Sequence, residues 1–176
     1  MRLNLRKVLF GLIALVVVGW FFTVLNSQNQ ESADSEALRT GKVTLVIDFG
    51  SDSGREPIIR EVTGFQGTGW DLFEAAGVKV AGTAEYPTGF VCRINDVPAQ
   101  AEQDCSDTPK YSEGSWAYFV TNPKIGPGWL LSGSGAQAHR PECGSYEGWL
   151  WVAPGKSSGQ TMPSVAPHAN PCAASN

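Results

Sequence analysis

The chain has 176 residues, 42% of them apolar, which suits one globular unit with a real core. Its 20 glycines and 11 prolines favour turns and short strands over long helices. Beyond position 25, ten basic residues stand against seventeen acidic ones, a net −7, which excludes a basic nucleic-acid-binding footprint.

Arg2, Arg6 and Lys7 precede residues 8–25, a stretch of 18 residues without a charge. That length reaches the threshold for crossing a bilayer, and the preceding bases place the N-terminus in the cytoplasm. Trp20, Phe21 and Phe22 sit near the outer end, where aromatic rings suit the lipid–water interface. A cleaved signal peptide is the competing reading. It requires a shorter apolar region followed at once by a small-x-small site, and residues 26–29 (NSQN) offer none. Both readings put the remainder outside the cell, and the expectation is an uncleaved single-pass anchor in the cell membrane. Residues 26–41 are polar and acidic and read as a flexible stalk. Residues 155–176 read as a Ser/Pro/Ala/Gly tail, leaving 42–154 as the folded domain.

Within that domain, Val43, Leu45, Ile47 and Phe49 alternate with Thr44, Val46 and Asp48, a period-2 strand. A turn cluster at 50–54 leads to a second strand at 58–62, so the two should form a hairpin. Thr68 suits a helix N-cap, and Asp71 three residues on completes an acidic capping box. The helix carries Trp70 and Phe73 and stops at Gly77 after about two turns, a length that lets it lie on a sheet. Further strands are expected at 89–95, 116–121, 129–131 and 148–152, with Trp149 and Trp151 on one face. The pattern is α+β, with a mixed or antiparallel sheet and one short helix.

The cysteines are Cys92, Cys105, Cys143 and Cys172. No CxxC pair is present, so a zinc knuckle is disfavoured, and an even count in an exported domain suggests disulfides. Of three pairings, proximity in sequence favours Cys92–Cys105 and Cys143–Cys172, each worth roughly 3–4 kcal/mol on the loop-entropy model. The second would pin the tail.

Residues with chemistry are few. The sequence has no G-x-S-x-G elbow, Walker loop or H-E-x-x-H, and Gly64, Gly67 and Gly69 are misordered for a dinucleotide fingerprint. His139 reads as a solvated loop residue, and Asp48, Asp52 and Glu56 as surface charges. No metal, cofactor or enzymatic activity is expected. Trp70, Trp116 and Trp149 are expected in the core. Trp129, flanked by Pro127 and Gly128, is the best candidate for an exposed ring. Beside Ser132 and Ser134, and with Tyr146, it could stack on a flat ligand or a sugar face. The Gly-Ser loop reads equally well as plain turn chemistry.

Several segments together resemble a known family. They are 69–77 (GWDLFEAAG), Ile94-Asn95-Asp96, Trp116–Tyr118, and Arg140-Pro141 followed by Glu147-Gly148-Trp149. The order is similar to the small domain of unknown function at the C-terminus of transcobalamin and intrinsic factor. The closing segment, Arg140-Pro141 to Trp149, also resembles actinobacterial exported proteins associated with energy-coupling-factor transporters. The resemblance covers about residues 42–154. It implies a β-grasp-like fold and a small-ligand-binding module, or an accessory to a vitamin- or cobalt-type transporter. A corrinoid or another vitamin would then be the ligand. Asp96 departs from the family, which usually has Gly there, and a corrinoid site made between two domains does not carry over. The alternatives are a protein–protein accessory that adds a strand at a sheet edge, and a cell-wall carbohydrate binder using Trp129 and Tyr146.

Overall fold

A computed structural model of the chain describes residues 41–168, apart from 111, 123–124, 158 and 160. The expected anchor and stalk, and Cys172, lie outside the described residues. Among the described residues no helix is long and apolar enough to cross a membrane.

The domain is a small α+β unit built on a five-stranded mixed sheet. Strand β1 (Lys42–Asp48) turns through a single 3-10 turn, Ser51–Ser53, into β2 (Ile58–Thr63), and the two pair antiparallel from Lys42↔Thr63 to Ile47↔Ile58. On its other side β1 pairs in parallel with β7 (Tyr146–Val152). β7 pairs antiparallel with β5 (Ser115–Asn122), which pairs antiparallel with β6 (Gly126–Leu131). The order is therefore β2-β1-β7-β5-β6, with the first and last strands side by side in the middle. β3 (Val80–Gly82) and β4 (Val91–Ile94) form a separate antiparallel pair. β3 is an addition to the sequence reading, because three residues are too few to display a period.

Both faces of the sheet are covered, which explains why β1 is buried from Val43 to Asp48 and reads as nearly continuous apolar chain. On one face Val43, Leu45, Ile47 and Phe49 meet Trp116, Tyr118 and Trp149, roofed by Leu72, Phe73, Val91 and Ile94. On the other face Val46, Ala117, Phe119, Leu150 and Val152 pack with Trp129 and Tyr146. Helix α1 (Asp71–Ala75) is set by its ends. The Thr68 amide donates to Asp71 Oδ2 at 2.8 Å and the Asp71 amide to Thr68 Oγ1 at 3.2 Å, the reciprocal box expected from the sequence. The Thr68 amide and the Thr68 hydroxyl, which both donate to it, hold the Asp71 carboxyl below its ordinary value. The Gly77 and Val78 amides close onto the carbonyls of Glu74 and Phe73, a Schellman stop.

The described part of the expected tail, as far as residue 168, packs on the domain. It runs back across the second face, where Val165 joins the core cluster and Pro163 is buried. Its anchor is Asp48, 5% exposed, whose Oδ2 accepts from the Ser164 amide at 2.6 Å and the Ser164 hydroxyl at 2.7 Å. Asp48 is thus a buried anchor rather than a surface charge. Asp48→Asn, which removes the charge from bonds typically worth about 1.5–3 kcal/mol to an ionised group, is expected to destabilise the domain. It should also make residues 155–168 markedly more sensitive to limited proteolysis, read by mass spectrometry.

Candidate functional site

The residues expected to form a stacking surface are packed inside the protein or tied into a turn. Trp129 is 8% exposed, which corrects its expected exposure. Its ring stands edge-on to Tyr146, with centroids 6.2 Å apart, and its Nε1 donates to the Val165 carbonyl at 2.8 Å. The ring reaches across the sheet to Gly148, where a Cβ would lie 2.7 Å from its edge. Gly148 therefore makes room for the indole, and the C-terminal segment caps it. Tyr146 is 8% exposed and belongs to the same cluster. The Ser132 hydroxyl donates to the Ser134 carbonyl at 2.7 Å and accepts from the Ser134 amide at 3.3 Å, a closed serine turn. The structure thus brings Trp129 to Tyr146 as core, and Ser132 to Ser134 as turn chemistry.

Cys92 and Cys105 form a disulfide, as their proximity suggested, with Cα atoms 5.8 Å apart. It ties β4 to the loop that follows it. Cys143 is buried and is not a free thiol. Its expected partner Cys172 lies outside the described residues.

A cleft of about 690 Å³ opens where β1 and β7 end, between the turn at 49–57 and the C-terminal segment at 153–164. Trp151 and Met162 give it apolar surface, Arg55 and Lys156 bring positive charge, and Asp48, Asp52 and Glu56 bring negative charge. The Arg55 guanidinium lies 4.0 Å from the centroid of the Phe49 ring, a cation–π contact that orders it. Asp48 contributes at the floor, with Oδ1 accepting from the Gly50 amide at 2.8 Å. Asp52 and Glu56, expected as surface charges, are exposed along the turn. A lining that combines a partly exposed ring with charges of both signs can hold a small molecule that carries a ring system and polar groups. Among the described residues, no three His, Cys, Asp or Glu side chains are placed to hold a metal ion.

A second constellation surrounds Glu147, whose side chain has no exposed surface. Its carboxylate accepts a hydrogen bond from the Tyr118 hydroxyl and another from the Ser145 hydroxyl at 3.2 Å. His139 Nε2 lies 3.3 Å from Glu147 Oε1. His139, 26% exposed, is therefore part of a buried network and not a solvated loop residue. Burial first, and then the neighbouring carboxylate, push the Tyr118 phenol far above its ordinary value. The bond to Glu147 holds the His139 imidazole above its ordinary value, against the opposing effect of burial. Sequence reasoning missed this group. The available signal was an acid in a strand with both faces buried, since such a carboxylate must be paired. Phe49, Arg55 and Trp151 were missed as cleft residues because the C-terminal segment supplies the other wall.

No protein-family model, curated protein or solved structure matches this chain.

Proposed function

We propose that this chain is a membrane-anchored extracytoplasmic module of β-grasp-like fold, without enzymatic activity, that binds a small ligand and serves a vitamin- or cobalt-type transporter. The observation that carries the reading is the open cleft lined by Phe49, Arg55, Trp151, Lys156 and Met162. The β-grasp assignment is supported by the strand order β2-β1-β7-β5-β6, with parallel first and last strands at its centre. The non-enzymatic reading is supported by the burial of the acid–base set. Glu147 has no exposed surface, and none of its network lines the cleft. The membrane placement rests on residues 8–25.

Thermal unfolding of the full-length chain in detergent tests this, scanned against cobalamin, cobinamide, Co²⁺, Ni²⁺, soluble vitamins and wall sugars. A ligand present at about 100 times its dissociation constant should add about 2.7 kcal/mol of stability. The expected result is a rise in Tm with one of these compounds, lost on Arg55→Ala. No shift with any compound would overturn the small-ligand reading.

A second reading is favoured by the sheet edge. β6 is an outer strand, its Leu130 and Leu131 are 46% and 50% exposed, and Ile125, in the turn just before it, is 77% exposed. Apolar side chains on a bare edge suit strand addition by a protein partner. The carbohydrate reading depended on an exposed Trp129 and loses its support with that ring buried.

A further inference from the structure

We propose that His139 and Glu147 form a pH-sensitive clamp that holds the segment 132–142 and the start of α1 against the sheet, closed in mildly acidic solution and loosened in alkaline. The clamp is independent of what the cleft binds.

The segment lies against α1 through backbone. The Gly69 amide donates to the His139 carbonyl at 2.9 Å and the Trp70 amide to the Ala136 carbonyl at 3.2 Å. Ala136 is 3% exposed and belongs to the core cluster that contains Leu72 and Phe73. Gly69 sits directly over the Tyr118 hydroxyl, so closely that no Cβ fits there. The helix start, the segment and the strand-borne phenol are thus in one layer. A polar side-chain link from the segment to the sheet is His139 to Glu147 at 3.3 Å.

Each element packed around this pair contributes a group. β5 supplies Tyr118, held neutral and donating to Glu147. β7 supplies Glu147, and the residue before it supplies the Ser145 hydroxyl. The segment itself carries Arg140 and Glu142, of which Glu142 favours the charged imidazole. α1 begins with Asp71, already engaged by Thr68 and attracted to Arg140. Among these, His139 is the side chain whose ordinary value, 6.5, lies in the range from mildly acidic to neutral.

A buried carboxylate is expensive unless it is paired. With His139 protonated, Glu147 has a cation and two hydroxyl donors. When His139 loses its proton, the charge is left with the hydroxyls and a neutral ring. The folded state raises the imidazole above its unfolded value, so the clamp's stabilisation is fully present below about 6.5, the unfolded value, and is lost as pH rises through the folded one.

Hydrogen exchange of the full-length chain in detergent reads this directly, at pH values from about 5.5 to about 8.5, each corrected for intrinsic exchange. The Gly69 and Trp70 amides, which donate to the clamped segment, should lose protection several-fold across that range. His139→Gln, which keeps a donor but cannot titrate, should show a flat profile. Unchanged wild-type protection, or a wild-type pH dependence retained in His139→Gln, would overturn the proposal. If that variant does not fold, NMR titration of the His139 ring in the wild-type chain decides. A midpoint above that of an exposed histidine supports the clamp, and one at or below it overturns the clamp.

Discussion

Trp129→Ala is expected to lower the unfolding free energy by about 3–5 kcal/mol, the range for removing a large aromatic from a core. The indole fills the space that Gly148 leaves open, stands edge-on to Tyr146 and holds the Val165 carbonyl by its Nε1. Its loss would leave a cavity on the second face of the sheet and release one of the anchors of the C-terminal segment. Domains of this size are stable by about 5–15 kcal/mol, so the change consumes a large part of the total. Trp129→Phe should recover part of the packing but not the hydrogen bond. Equilibrium unfolding of the full-length variants in detergent checks both. A surface ring used for stacking would show almost no loss of stability, so the measurement separates a core role from the one the sequence suggested.

Glu147→Ala should be of similar size, about 3–5 kcal/mol, as expected when one partner of a buried charged group is removed. The substitution takes the acceptor from the Tyr118 and Ser145 hydroxyls and leaves His139 without its carboxylate. The Tyr118 ring stacks on Trp149 at 4.6 Å between centroids, so the disturbance spreads into the main core. Glu147→Gln keeps the shape and one acceptor and should lose less. Its stability should also stop falling with rising pH through the imidazole range. Urea unfolding at mildly acidic and mildly alkaline pH checks both effects. Equal stability of Glu147→Ala and wild type would show that the network is not a structural unit.

Local signals in the sequence led to the correct local structures. Alternation from Val43 to Phe49, the turn at 50–54 and the apolar run from Ile58 correspond to a hairpin, because each signal acts between near neighbours. The Thr68–Asp71 box and the Gly77 stop bound the helix for the same reason. Cys92 and Cys105 pair because a span of 13 residues brings them close. What remained hidden depends on contacts far apart in the chain. The parallel pairing of β1 with β7 joins Thr44 to Tyr146. Ser164 is held by Asp48 across 116 positions, and a Pro- and Ser-rich segment looks disordered until that buried acceptor is known. Trp129 read as exposed because its flanking Gly and Pro suggest a loop. Its burial was decided by Gly148, on a strand two places away in the sheet. The cleft could not be read for the same reason, since its walls come from segments about a hundred residues apart.

Backbone amide chemical shifts of the full-length chain in detergent, followed during titration with whichever panel compound raises Tm most, locate the proposed ligand site. Binding in the cleft beside Trp151 should give saturable shifts concentrated at Gly50, Arg55, Trp151 and Lys156, with the amides of the Ser132–Ser134 turn unmoved. Shifts confined to β6 and the 132–135 turn, or no saturable shift at the cleft, would contradict it.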